Sequence, residues 1–367
     1  MASPIVERST SVLDVSNKNS EWSTRLLERD LVPDFLIRSQ IRRLLMQRLR
    51  EEDKGSPEAQ QAHLMKLIVQ MKASPIAIET DAANSQHYEL AARFYQLCLG
   101  KHLKYSCALW DAGCASLDDA EEAMLKLTCE RASLHDGESI LELGCGWGSL
   151  SLFMAKRFPN SRIVAVSNSR SQKAFIDGQA RERGISNLEI VTANLNTFTI
   201  ELRFDRVLSV EMFEHMHNYQ RLMANIASWM NAGATLFVHI FTHKRFAYFF
   251  EVRNQSDWMS KYFFTGGIMP SDDLLLYFQD DLKLCEHWVV NGMNYAKTSE
   301  AWLRNMDFHR AEILELFANT YGSSRSNPRA EAQKWFVYWR VFFMACAELW
   351  AWKNGSEWLV SHYLFQK

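Results

Sequence analysis

The sequence predicts an α/β fold, a parallel sheet with helices on both faces, and two observations carry that expectation. Between residues 139 and 245, short apolar runs alternate with amphipathic stretches. Strands are read at 139–143, 162–167, 187–191, 205–210 and 234–241, and helices at 148–157, 169–183 and about 216–230. The second observation is the stretch SILELGCGWGSLSL at 139–152. Residues 140–143 read as a short buried strand, Gly144, Cys145, Gly146, Trp147 and Gly148 as a tight turn, and Leu150, Leu152, Phe153 and Ala155 as the apolar face of a helix.

Glycines at alternate positions let the backbone approach a ligand closely, and the helix N-terminus behind them offers free N–H groups. The spacing is G-x-G-x-G, not the dinucleotide fingerprint G-x-G-x-x-G. The next strand ends in Ser167, Asn168 and Ser169, with no carboxylate to grip a ribose diol. Between a strand and a helix, such a loop favours a nucleotide-like ligand over a purely structural turn.

The 367 residues allow one large or two modest domains. A net charge of −2 leaves no basic footprint for nucleic acid. Twelve Trp and 22 Phe exceed what one core needs, so a broad aromatic pocket or lid is expected. The seven Cys form no C-x-x-C pair and no His/Cys cluster with zinc spacing, which points to a reduced cytoplasmic protein without a metal. Residues 1–21 lack the apolar core of a secretory signal, and no run reaches the length of a membrane span.

Along the chain, residues 1–21 read as a polar tail. Residues 22–72 read as two helices, broken at Gly55, Ser56 and Pro57. The first carries Arg38, Arg42, Arg43, Arg48 and Arg50, a face better read as solvated than as an anion or membrane site. Ser116 should cap a helix over Leu117–Arg131, with Asp118 and Asp119 in its first turn. Residues 246–340 break the α/β rhythm and are rich in aromatics, including Trp258 and Phe264. A helix at about 331–350 and a last strand at 357–365 follow.

Ligands in such sheets sit at the carboxyl ends of the strands. Asn168 and Gln172 follow the second strand, Asn194 and Leu195 the third, and Glu211–His215 the fourth; His239 lies near the end of the fifth and His243 just after it. If residues 211–215 are helical, Glu211, Glu214 and His215 share one face and form a proton-accepting cluster. On the residues alone, Asn168 and Asn194 read more readily as turn and cap residues, and Tyr105 and Trp110 as core aromatics.

The motif ILELGCGWGSLSL resembles motif I of class I S-adenosylmethionine (SAM) methyltransferases. More narrowly, from about residue 26 to the C-terminus the chain resembles the plant coclaurine/pavine N-methyltransferases, which are similar in turn to the cyclopropane fatty-acid synthases. The resemblance implies a Rossmann-like core at 132–245. It also implies a helical cap at 22–131, a substrate-pocket and lid insertion at 246–340, and a closing helix end and strand at 341–367. It implies SAM as cofactor, held by Tyr105, Ser106, Gly144, Gly146, Gly148, Asn168, Gln172, Asn194, Leu195 and Val210. Related enzymes usually carry Asp at the position of Asn194; an Asn oxygen can accept the same bond from an adenine amino group. The segment Glu211-Met212-Phe213-Glu214-His215-Met216 resembles the E-x-F-E-H-M motif that faces the amine. This carries over Glu214 and His215 as catalytic residues, with Glu211 beside them. Tyr88 and Glu89, His239, Phe241, Trp258 and Phe264 are expected around the substrate. The implied reaction is N-methylation of a small aromatic alkaloid-type amine, with no nucleic acid, no membrane span and a homodimer as the assembly to test. The competing resemblance is to the cyclopropane synthases, in which Cys107, Glu214 and His239 would hold a bicarbonate. The alkaloid enzymes carry Glu where this chain has His239.

Overall fold

The computed structural model describes residues 24–78, 91–251, 258–322, 325 and 327–367. The polar tail at 1–21 and the Tyr88–Glu89 pair lie outside the described residues. The helical cap consists of α1 (Asp34–Glu52), α2 (Pro57–Ala73), α3 (Ala92–Cys98) and α4 (Leu117–Arg131). Pro57 opens α2 behind Ser56, whose hydroxyl accepts from the Ala59 N–H. Ser116 and Asp119 form a reciprocal capping box at the start of α4. The arginines of α1 are not merely solvated. Arg38 reaches Glu300 at 2.6 Å and Glu348 at 3.1 Å, and Arg42 reaches Glu348 at 2.8 Å, so this face ties the cap to the C-terminal helices.

The core follows as β1 (Ser139–Leu143), α5 (Ser149–Arg157), β2 (Arg162–Ser167), α6 (Arg170–Glu182), β3 (Leu188–Thr192), β4 (Phe204–Val210), α7 (Tyr219–Ser228) and β5 (Met230–His243). Two further strands complete a seven-stranded sheet, β8 (Lys283–Val290) and β9 (Trp358–Gln366), in the order β3-β2-β1-β4-β5-β9-β8. The first five strands are parallel, as expected. β9 runs antiparallel to both β5 and β8, so the sheet is mixed. β8 corrects the reading of 246–340 as an insertion throughout, because part of that stretch is a strand of the main sheet. Its burial pattern, mostly exposed or half-buried, is that of an edge strand and hides the periodicity of a buried one. β5 is longer than expected at both ends and takes in His243; an irregular register between β4 and β5 marks its first residues.

One sheet face, with Ile140, Leu208, Phe237 and Leu364, packs on α4 and α5. The other, with Leu141, Val207, Leu236, Val238 and Tyr363, packs on α2 and α7. Between β5 and β8 the chain forms a small pair, β6 (Tyr248–Phe249) with β7 (Ile268–Met269), joined in part by α8 (Trp258–Tyr262). After β8, α9 (Met293–Phe308), α10 (Arg310–Tyr321) and α11 (Pro328–Ala351) enclose a second core. Much of the aromatic excess goes here. Trp302, Phe336, Trp339 and Phe343 are buried among Phe94 and Tyr95, with the Phe94 and Trp339 rings 4.7 Å apart.

Glu121 on α4 has no exposed surface. It accepts the backbone N–H groups of Gly100 and His102, both at 2.9 Å, and so fixes the turn that leads to the site. Burial raises its carboxyl to about 7 against those two bonds and Lys104. The folded chain therefore keeps a proton at pH values where the unfolded chain has lost it, and stability falls as pH rises from the ordinary carboxylate range to about 7. In Glu121→Gln, urea-unfolding free energies measured at stepped pH should decline less steeply, by about 1 kcal/mol per pH unit. Parallel curves for the two proteins would refute the assignment.

Candidate active site

The glycine loop turns at the carboxyl end of β1. The N–H groups of Gly144 and Cys145 both donate to Val166 O, which pins the loop to β2. Gly144 has φ +82, and a Cβ there would lie 2.7 Å from the Met212 side chain. Gly148 has φ +80 at the N-cap of α5, and a Cβ there would meet Ile176 of α6 at 2.8 Å. Gly148 thus serves helix packing and Gly144 the close approach of Met212, while Gly146 has open space where a side chain would stand.

Two cavities flank that loop and share Gly144, Gly146 and Glu211. The larger, about 380 Å³, is walled by Asn168, Gln172, Asn194, Leu195, Met212 and His215, and closed by Ala77, Ile78, Thr265 and Gly266. Ala77 is held there by paired bonds with the Asn196 amide, and Gly266 O by the His217 ring at 2.8 Å. The smaller, about 70 Å³, is walled by Lys104, Tyr105, Ser106, Glu142, Trp147, Ser149 and Val210. Of the ten cofactor positions expected from the sequence, all but Gly148 line one cavity or the other.

The donors around these cavities fit an elongated ligand with a polar group at each end. Gln172 Nε2 is buried without a hydrogen-bond partner among the described residues, while its Oε1 accepts from the Ser167 hydroxyl at 2.7 Å. Trp147 Nε1 and Ser149 Oγ, beside the smaller cavity, are likewise buried and unpartnered among the described residues. Orphaned buried donors are costly without a ligand. Asn194 Oδ1 accepts from the Asn196 N–H at 2.9 Å and keeps a second lone pair. Glu142, missed in the sequence, stands in β1 two residues before the loop. It accepts from Ser151 Oγ at 2.5 Å, and burial pushes its carboxyl up to about 7. An acid inside an otherwise apolar strand was the available signal.

Glu211 begins the turn after β4 with φ +46, and only Phe213–His215 is helical, as a single 3-10 turn. The three candidates therefore do not share a helix face, because the left-handed residue breaks the helix before it starts and Asn218 caps α7 afterwards. The structure sends each side chain elsewhere. Glu211 Oε1 accepts the Cys107 N–H at 2.9 Å and Oε2 accepts the Tyr295 hydroxyl at 2.5 Å, with His239 Nε2 at 3.3 Å from Oε1. Beneath it, buried Lys104 donates to Cys107 O at 2.8 Å and to Ser106 Oγ. His215 stands in the wall of the larger cavity, stacked on Phe264 with ring centroids 4.9 Å apart. Glu214 is 1% exposed, and its Oε2 has no hydrogen-bond partner among the described residues.

Burial raises both carboxyls, and the Glu211 charge pushes Glu214 further up. Lys104 and the donors on Glu211 oppose its rise, whereas Glu214 has no such partners among the described residues and is pushed further above the ordinary carboxylate range. Burial, with Lys104 and Arg131 nearby, holds His239 neutral, well below its ordinary value. The Cys107 thiol is pushed well up by burial, so its contribution is its backbone N–H.

His239 stands behind Glu211, outside both cavities. Phe241 packs on Phe264 and so reaches the cavity only through the His215 stack. Trp258 packs instead on Tyr262, Phe263 and Tyr338. Sequence reading did not single out Lys104 or Tyr295; each gains meaning only by meeting Glu211 across the fold. Among the described residues, no group of three His, Cys, Asp or Glu side chains is placed to hold a metal.

Comparison with known proteins identifies this arrangement. The family model described as mycolic acid cyclopropane synthetase matches residues 77–324. The chain is 41% identical to (S)-coclaurine N-methyltransferase of Thalictrum flavum subsp. glaucum over 93% of this chain and 94% of that one. It is 35% identical to pavine N-methyltransferase of the same plant, over 93% and 95% of the two chains. A crystal structure of coclaurine N-methyltransferase bound to N-methylheliamine and SAH superposes with a TM-score of 0.89 at 37% identity, covering 98% of this chain and 100% of that one. The chain belongs to the mycolic acid cyclopropane synthetase family of SAM-dependent methyltransferases, on the branch of the coclaurine and pavine N-methyltransferases.

Proposed function

We propose that the protein methylates the nitrogen of a small aromatic amine of the tetrahydroisoquinoline or phenylalkylamine class. The observation that carries this reading is the turn after β4, which sets both Glu211 and His215 into the cavity wall, with Glu214 immediately before His215 in sequence. SAM supplies an electrophilic methyl group on a sulfonium. The two cavities offer the room, with Asn168, Gln172, Asn194 and Leu195 toward the adenosine end and Tyr105, Ser106 and Val210 toward the methionine end.

The acceptor nitrogen must present a lone pair. An alkylamine has a pKa of about 10.4, so its neutral form costs roughly 4–5 kcal/mol at pH 7. His215 is placed to accept or orient that proton, and Glu214 lies directly behind it in the chain. A base in hydrogen-bond reach contributes about 10²–10⁴-fold, and alignment of the nitrogen with the methyl group contributes more. The anion at Glu211 attracts cationic groups to the junction of the cavities. Tyr88 and Glu89 complete the substrate side of this reading. A cytoplasmic location accords with the seven unpaired cysteines, and no helix among the described residues is long and apolar enough to cross a membrane. A homodimer is the assembly we would test by light scattering.

The cyclopropane-synthase reading meets a specific obstacle. The Cys107 N–H, which would bind bicarbonate in that reaction, already donates to the chain's own Glu211 carboxylate. Incubation with methyl-labelled SAM and two acceptor pools, small aromatic amines and unsaturated phospholipids, separates the two. Label should appear on an amine nitrogen; label in an acyl chain would overturn the proposal.

Glu214→Ala and His215→Ala should each lower kcat by about 10²–10³-fold while SAH affinity by calorimetry changes only a few-fold. Near-normal turnover in both would remove them from the mechanism. Because burial and the Glu211 charge push the Glu214 carboxyl well above the ordinary carboxylate range, kcat should rise with pH above that range. That rise should be weaker in Glu214→Gln, and an unchanged pH profile would count against a proton-transfer role. Gly144→Ala, which forces a side chain at φ +82 against Met212, should abolish detectable SAH binding while leaving the far-UV spectrum intact.

A further inference from the structure

A row of polar side chains crosses the sheet behind the cavities. The register places Val210 of β4, His239 of β5, His362 of β9 and Trp288 of β8 side by side. His239 Nδ1 is 2.8 Å from His362 Nε2, and His362 Nδ1 is 2.8 Å from the Arg131 guanidinium. Arg131, the last residue of α4, lies over the Trp288 ring at 5.0 Å. At the other end His239 Nε2 faces Glu211 Oε1 at 3.3 Å. Both imidazoles have no exposed surface.

The chemistry of the two ends dictates where the protons lie. A guanidinium only donates, and an ionised carboxylate only accepts. Two neutral rings between them satisfy all three contacts in one arrangement, with the proton of each on Nε2. A proton on His362 Nδ1 would face an Arg131 N–H. A second proton on His239 would face the Nε2 proton of His362. Burial and the neighbouring cations hold both rings neutral: Lys104 and Arg131 act on His239, and His239, Arg131, Lys104 and His287 act on His362. Lys104, Cys107, Tyr295, Glu214 and Cys346 of α11 also face Glu211.

We propose that Arg131 and His362 are positioning residues for methyl transfer: by fixing which nitrogens of His239 and His362 carry protons, they hold the Glu211 carboxylate in one orientation at the junction of the two cavities. The donor-only guanidinium makes the row directional. It delivers an N–H to Glu211 and cannot accept a proton in return, so the row orients the carboxylate and does not drain protons from it. The kinetic consequence rests on the methyltransferase reading; the proton arrangement does not.

Two measurements test this. Nitrogen-15 spectra of histidine-labelled wild-type protein should show His239 and His362 neutral and protonated on Nε2 between about pH 6 and 8. A charged ring or a proton on Nδ1 in either residue would overturn the proposal. In Arg131→Leu, His362 should populate both tautomers. Arg131→Leu and His362→Phe should lower kcat about ten- to a hundredfold, with KM for SAM unchanged within about twofold. Glu211 should be raised further as it loses a donor, and Glu214, relieved of part of the Glu211 charge, should come down, so the rise of kcat assigned to Glu214 should move to lower pH. His362→Gln, whose amide both accepts and donates, should recover most of the activity. Folded Arg131→Leu and His362→Phe proteins, as judged by SAH binding, with wild-type kcat and pH profile would also overturn it. If the wild type methylates no amine, the function proposal fails and the spectra alone decide this one.

Discussion

The carboxylate of Glu211 joins four separate parts of the chain. It takes the Cys107 amide from the segment after α3, the Tyr295 hydroxyl from α9 and the His239 imidazole from β5, while its own N–H is given to His239 O. A buried carboxylate is tolerated only when donors replace its lost water, and each donor here comes from a different element. The left-handed backbone at Glu211 persists because these contacts over-determine it. The cap, the sheet and the C-terminal helices therefore meet at one anion, and both cavities open beside it. The two carboxyls fare unequally as a result: Glu211 is satisfied by its donors, whereas Glu214, three residues on, is buried without comparable help and is pushed further up.

Whatever is written locally in the sequence was legible there. β1, β2 and β4 each carry an apolar run because both faces of a central strand are covered, and the glycine loop is marked by residue type alone. Ser116 and Asp119 announce α4 by their spacing. What stayed hidden depends on residues that meet only after folding. Arg131 and His362 are 231 positions apart, and Cys107 and Glu211 are 104 apart, so no window of sequence contains either pair. β8 was missed for another reason: edge position leaves much of it exposed, and its pattern then resembles that of a surface loop. The catalytic turn looked helical by spacing, but backbone strain at one residue decided otherwise.

The aromatic excess had two destinations, and composition could not divide them. Trp302, Trp339 and Phe343 build the core between α9 and α11. Phe264 is the ring that stacks on His215, and Phe241 and Phe250 support it in turn. The His215 imidazole thus leans on a ladder of rings that runs through Trp350 of α11 to Tyr295, so its orientation is tied to packing away from the cavity wall.

The sheet order has a consequence for how the protein is made. β9 lies between β5 and β8, and His239 meets a residue 123 positions later. During synthesis β1 to β5 emerge and can pair while one edge of β5 stands open, its hydrogen-bonding groups unmatched. Only when β9 leaves the ribosome does that edge close, and the imidazole row behind Glu211 is completed in the same event. A nascent chain can therefore hold a formed glycine loop long before the Glu211 carboxylate is set. The unpaired β5 edge is then the surface on which a chaperone, or a neighbouring unfinished chain, would act.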